Sequence, residues 1–350
     1  MTNSIETLPT PRHTDPADAP PLRWGILAPG VIANDFVDAL RAHTRQQVVA
    51  VGSRTLERAA AFAARHGFER AYGSYEELVA DPDVDVVYVA SPHSEHAAHA
   101  HLVIAAGKHV LIEKPMAVTA AEARGIAEAA RAAGVFAMEA MWTRYLPQTD
   151  IARQLLADGM LGEVKVVTAD FGGAAAYDPA GRLWAPALAG GALLDIGVYV
   201  VSWASFALGA PESVIATGEL APTGVDAQVA LVLTSPGGGQ ALLSTSLLSG
   251  TPSLGSISGT AGRIETDSPF WGPSGIRFHG SGGTVLHWAD PFGRPYRQGM
   301  SYEAAALARY VTDGLTDSPL HPLDEAITTL QTIDEARRQV GYRSAAGGAQ

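Results

Sequence analysis

Three groups of side chains in this sequence have types and spacings suited to chemistry. The first is Lys114, in the run Val110-Leu111-Ile112-Glu113-Lys114-Pro115. Val110 to Ile112 read as a buried strand, because apolar residues follow one another without a polar break. Pro115 cannot continue a ladder and holds Lys114 extended. A lysine thus stands at the carboxyl end of a buried strand, where open α/β sheets bind ligands. A strand-end lysine in solvent is the plainer alternative. The second group is Ser53 and Arg54, with Arg58 one helical turn on. A guanidinium fork suits a phosphate; pairing with Glu57 or another carboxylate is the competing use. The third is Asp195 with Tyr199, spaced so that one helical face presents both. A buried tyrosine at a domain seam, with Asp195 as its partner, is the competing reading.

The elements that position these groups follow from periodicity. Leu22 to Leu27 is a short apolar strand, and Ala28-Pro29-Gly30-Val31-Ile32-Ala33 leads into an amphipathic helix with Ile32, Phe36, Val37 and Leu40 on its inner face. Val48 to Gly52 is a second strand. A dinucleotide fingerprint wants G-x-G-x-x-G/A in that turn, so that amides and the helix amino end approach a pyrophosphate. Gly30 and Ala33 fit the pattern, while Ala28 stands where the first glycine belongs. Ala28, Gly30, Val31 and Ile32 are therefore the expected pyrophosphate contacts, with a plain strand-to-helix turn as the alternative. An NAD site usually carries an acidic residue after the second strand. Here Ser53, Arg54 and Arg58 stand instead, which favours a 2′-phosphate and hence NADP, with NAD possible.

Further strands and helices alternate up to Met141, predicting a doubly wound parallel sheet. Ser91, Pro92, His93 and His96 fall at one strand's carboxyl end and are expected beside the cofactor, as is Glu113. Histidines 93, 96 and 99 recur at spacing three, but no carboxylate pattern accompanies them, and no metal is expected. From Pro147 the pattern changes to a helix and then to strands separated by glycine and proline turns. These predict a large, mostly antiparallel open sheet in an α+β domain closed by two helices. The expected division is a disordered tail over 1–21, a dinucleotide-binding domain over 22–146, and a substrate-binding and dimerisation domain over 147–350, whose last helix could pack back on the first domain. Trp142 and Arg144, after the last parallel strand, are expected to line the cofactor site. Trp142, Tyr145, Arg182 and Trp184 are candidates for substrate contact, with core packing competing for each aromatic.

Composition narrows the function class. The chain has 350 residues, 47% of them hydrophobic, which allows a large core. A formal net charge of −12 argues against nucleic acid or an anionic membrane surface as partner. No cysteine is present, so disulfides and thiolate metal sites are excluded. No apolar run is judged to approach a membrane span. The leading residues lack a signal peptide's pattern, so a cytoplasmic location is expected.

Taken together, Glu113-Lys114-Pro115, Ser91-Pro92-His93-x-x-His96 and the segment Gly190 to Tyr199 resemble the Gfo/Idh/MocA oxidoreductases over about 22–340. Tyr199 replaces that family's usual histidine. With Met141 to Pro147 and the arginines at 54 and 58, this looks most like the branch of dimeric dihydrodiol dehydrogenases and NADP-linked xylose dehydrogenases. The departure is Ala28-Pro29 in the glycine turn. The resemblance implies that Lys114, Asp195 and Tyr199 are catalytic and also touch substrate. A phenol with a pKa near about 10 is a poor base at neutral pH, and a neighbouring ammonium would lower it. Lys114 would tune Tyr199 in this way, Tyr199 would act as general acid/base, and Asp195 would orient both. The expected activity is NADP-dependent hydride transfer to or from a carbon bearing hydroxyl or carbonyl on a sugar, cyclic polyol or trans-dihydrodiol. A non-catalytic NADP-binding sensor is the alternative, since fold does not fix function. The face of the second sheet that no element covers predicts a homodimer.

Overall fold

The structure, a computed structural model, describes residues 5–12, 15–291 and 293–342 of the chain. Expectations falling on 1–4, 13–14 and 343–350 lie outside the described residues. The chain divides into two compact units.

One unit contains residues 15–145 and 295–327. Its six-stranded sheet has the order β3-β2-β1-β4-β5-β6, built from β1 (Arg23–Leu27), β2 (Gln47–Gly52), β3 (Arg70–Tyr72), β4 (Val86–Val89), β5 (His109–Glu113) and β6 (Ala137–Ala140). All pairings are parallel. The crossovers are α1 (Val31–His43), α2 (Leu56–His66), α3 (Tyr75–Ala80), α4 (His96–Ala105) and α5 (Ala120–Ala133). Local chemistry fixes their ends. Thr55, Ser74 and Thr119 accept the amides of Arg58, Glu77 and Glu122, and Gly67 and Gly134 close α2 and α5 at φ 65°. Phe36 of α1 stacks on Tyr88 of β4 with ring centroids 3.9 Å apart. Strand order reverses between β1 and β4, the place where such sheets bind ligands.

This unit differs from the sequence expectation at both ends. The chain returns to it after Pro295, adding α8 (Met300–Thr312) and the start of α9 (Leu323–Gln339). The reason is packing: Ala304, Ala305, Leu307 and Ala308 of α8 are fully buried, and Ala19 joins Ala305 and Ala308 in one cluster. The leading segment is likewise not a loose tail where it is described. Asp15 caps a short 3-10 turn over Pro16–Asp18, and Ala19 is buried.

The other unit contains residues 5–12, 146–294 and 328–342. Its eight-stranded sheet runs β14-β13-β12-β11-β7-β10-β9-β8. The strands are β7 (Val164–Gly172), β8 (Ser213–Leu220), β9 (Asp226–Thr234), β10 (Gln240–Ser246), β11 (Gly255–Gly259), β12 (Gly262–Thr266), β13 (Gly275–Gly280) and β14 (Val285–Ala289). Only β7 and β10 pair in parallel among the described strands. Strands β3, β13 and β14 carry little sequence signal because they are short and glycine-flanked. Residues such as Val167, Leu231, Ala241, Ile257 and Ile264 line the buried face, against which α6 (Pro147–Ala157) and α7 (Val198–Leu208) pack. Ile215, Leu242 and Val166 remain exposed on the opposite face.

The expectation that no apolar run approaches a membrane span does not hold. Pro186–Leu208 is long and apolar enough to cross a membrane by length and composition. Within the fold 78% of its apolar window is buried, so core packing accounts for its composition.

Candidate active site

The turn after β1 is shaped to receive an anion. Ala28 adopts a left-handed backbone with φ 68°, the conformation a fingerprint glycine would take freely. Gly30 caps α1 without any side-chain hydrogen bond, and a Cβ built on it meets nothing within 4 Å. Val31 is 76% exposed, so the first amides of α1 open outward. The next helical turn is ordered from behind, where Asn34 donates to the Gly30 carbonyl at 2.7 Å and His66 bonds its other amide atom.

At the end of β2, Ser53 is buried and its amide donates to Tyr72 at 3.1 Å. Arg54 and Arg58 are exposed and form no ion pair among the described residues. The competing use, pairing with Glu57, is not adopted. Sequence reasoning missed Tyr75, which lacks any motif: burial pushes its phenol up, while Arg54 and Arg58 pull it down. Its ring meets His99 edge-on.

At the end of β5, Lys114 is partly exposed, and its peptide bond to Pro115 is cis. Two residues expected beside the cofactor hold the backbone around Lys114. Glu113 is buried, accepting from the Tyr88 hydroxyl and from the Lys114 amide at 3.1 Å. Burial raises its pKa, with Lys114 opposing. His96 is fully buried, and its ring nitrogens lie 2.7 Å from the Pro115 carbonyl and 2.8 Å from that of Ser91. It ties two strand ends together behind the site. The Ser91 hydroxyl is engaged with His99 at 2.9 Å, leaving Pro92 exposed and His93 half-buried. Residues 296 and 297, which carry no sequence signal, also come here. Arg297 pairs with Asp35 of α1, and Tyr296 meets Trp142 edge-on with centroids 5.7 Å apart.

The large-sheet unit presents the third group. Leu193–Gly197 forms a wide π-type turn that runs directly into α7. Asp195 lies in that turn and Tyr199 in the first turn of α7; both are buried. Asp195 accepts from Arg182 at 2.8 Å, and that guanidinium is otherwise largely exposed. Phe171 and Trp271, stacked with centroids 4.7 Å apart, flank the Tyr199 ring. Neither aromatic was singled out from the sequence.

A family model described as "Oxidoreductase family, NAD-binding Rossmann fold" matches residues 22–141, and the Gfo/Idh/MocA C-terminal domain matches 150–265. The chain belongs to the Gfo/Idh/MocA oxidoreductases. Trans-1,2-dihydrobenzene-1,2-diol dehydrogenase of Macaca fuscata fuscata is 40% identical over 326 residues, covering 91% of this chain and 97% of its own. Among solved structures, an aldose-aldose oxidoreductase from Caulobacter crescentus aligns with TM-score 0.81 at 26% identity, over 91% of this chain and 97% of its own. A 3-ketoreductase from Actinomadura kijaniata, in complex with TDP-benzene and NADP, aligns with TM-score 0.76 at 27% identity, over 92% and 98%. This chain is thus an oxidoreductase with a nicotinamide-dinucleotide domain.

In this oxidoreductase three further residues expected at the ligand site are buried and hydrogen-bonded within the protein. Arg144 is 4% exposed and forms a forked pair with Glu325, donating also to the Leu320 carbonyl. Tyr145 is fully buried, its hydroxyl 2.8 Å from that of Ser318. Trp184 is 2% exposed, and its indole donates to the Ala176 carbonyl in a core cluster. Trp142 is also buried.

Proposed function

We propose that this oxidoreductase uses NADP to interconvert a secondary alcohol and a carbonyl on a trans-dihydrodiol or sugar ring. The observation that carries the cofactor choice is the exposed, ion-pair-free couple Arg54 and Arg58 at the end of β2. Two guanidinium forks there match a 2′-phosphate, and the position after β2 where an NAD site carries an acidic residue holds Ser53 and Arg54 instead. Ala28, Gly30, Val31 and Ile32 would receive the pyrophosphate. The nicotinamide supplies the hydride acceptor or donor. In the oxidising direction Tyr199 takes the proton of the substrate hydroxyl while the C–H hydride leaves. Lys114 favours the phenolate and bonds the substrate oxygen. Asp195 and Arg182 orient the substrate's neighbouring hydroxyls. Phe171 and Trp271 offer apolar faces to a ring. A homodimer through the exposed face of the large sheet accompanies this reading.

The test is a titration with NADPH and, separately, NADH, followed by tryptophan quenching, on wild type and on an Arg54→Ala/Arg58→Ala variant. Wild type should prefer NADPH, and the variant should lose about tenfold or more for NADPH alone. Equal binding of both cofactors by wild type would refute the phosphate assignment. Turnover is then read with NADP on a panel of trans-dihydrodiols and aldoses.

A further inference from the structure

We infer that Asp226, at the start of β9, is a positioning residue for the reaction: as a carboxylate it holds the amino end of the segment that presents Asp195 and Tyr199. This rests on the roles proposed above for those two residues. Asp226 is fully buried, and its Oδ2 accepts the Leu193 amide at 2.6 Å. Gly191 just before has φ 124°, and a Cβ there would lie 2.4 Å from Asp226 Oδ1. The carboxylate therefore fills the space beside the chain where the wide turn begins. Asp195 donates its own amide to the Gly191 carbonyl at 3.1 Å, so the capped residues directly set its place. The charged side chain bearing on Asp226 is Arg337 of α9, with Nε 3.9 Å from Oδ1 and the Tyr342 ring over its guanidinium at 3.6 Å. The carboxylate of Asp195 is turned to Arg182.

A neutral cap would satisfy an amide at lower desolvation cost. A negative charge at a helix amino end adds a charge-assisted bond and favourable dipole alignment, which sharpens the geometry of the first helical turns. Burial pushes Asp226 up to about 6, against the pull of the Leu193 amide and Arg337. The group is ionised at neutral pH and protonated in mild acid. Protonation removes the counter-charge of Arg337 and weakens the acceptor at Leu193. The presentation of Asp195 and Tyr199 is therefore coupled to pH on the acid side.

The experiment compares wild type with Asp226→Asn, which keeps the shape and an acceptor oxygen but not the charge. Hydrogen exchange over residues 191–199, corrected for intrinsic rates, is read one pH unit above and below the midpoint near 6. Wild type should lose protection below it, and the variant should show one pH-independent level. The variant should also lose the acid-limb inflection of kcat and about tenfold in kcat, with NADPH binding unchanged. Its thermal midpoint should not fall. Arg337→Met should move the wild-type inflection to higher pH. Exchange in Asp226→Asn that follows pH as in wild type would overturn the inference, as would activity lost only in step with a lower thermal midpoint. If wild type turns over no member of the panel, the proposed function fails, while the exchange comparison still decides the role of Asp226.

Discussion

At Tyr199 a single oxygen can be removed with the rest of the site left in place. Tyr199→Phe retains the ring contacts with Phe171 and Trp271 and loses only the phenol. Turnover should fall about a hundredfold or more, the size of a proton-transfer contribution, while NADPH binding stays as in wild type. Steady-state kinetics beside a binding titration checks this; near-normal turnover would remove Tyr199 from the chemistry. The places of such residues in the fold were legible from type and spacing: Lys114 before a proline at a strand end, Asp195 and Tyr199 on one helical stretch, arginines after the second strand. Side-chain direction was not legible. Arg144 was expected to line the cofactor site, yet its partner Glu325 lies 181 residues along the chain. Glu113 and His96 sit in the motif that carries the resemblance but point into the core, where they hold the motif's backbone. Arg182 was named as a substrate contact, and its pairing with Asp195 became visible only in three dimensions.

At the scale of elements, two carboxylates, one partly and one fully buried, respond to acid with opposite sign. Glu325 begins α9 and joins Arg144 and His321, whose Nε2 lies 2.7 Å from Glu139. Burial pushes Glu325 up, but His321 and Arg144 prevail and hold it at about 2, below its ordinary value of 4.5. A depressed folded value contributes stability that is present above the unfolded pKa and is lost as pH falls towards the folded one. The amount is about 3 kcal/mol. Glu325→Gln should therefore unfold at lower urea at neutral pH, and its stability should vary less than wild type's as pH falls from about 4.5. Equal urea midpoints at neutral pH would show the pair to be inert. Against the unfolded chain Asp226 runs the other way: raised from 3.8 to about 6, its burial costs least when protonated and the cost grows as pH rises through 6, although the ionised form is the better cap for Leu193. Most elements were readable because capping residues and glycine stops mark them, as at Thr55 and Gly67. The return of α8 to the parallel-sheet unit was not, since an alanine-rich face says that a helix is buried without saying against what.

For the whole molecule, the large sheet leaves Ile215, Val232 and Leu242 adjacent across three strands, with Ile215 64% and Leu242 48% exposed. An apolar row of this kind suits a self-complementary partner about a two-fold axis. Light scattering at micromolar protein should give a dimer, and Ile215→Glu with Leu242→Glu should give a monomer; a monomeric wild type would sink the proposal. The two-unit division was legible as a change of pattern near Pro147, but the crossings of the chain between units were not, because they depend on contacts between residues far apart in sequence. The leading segment is the clearest case. Arg12 grips Asp150 through its backbone amide at 2.7 Å and its guanidinium at 2.9 Å, while Asp150 itself is 1% exposed on α6. A chain trimmed to begin at the first strand would therefore not be neutral. It would strip a buried carboxylate of its main cation and turn what reads as dispensable leader into the weakest point of α6.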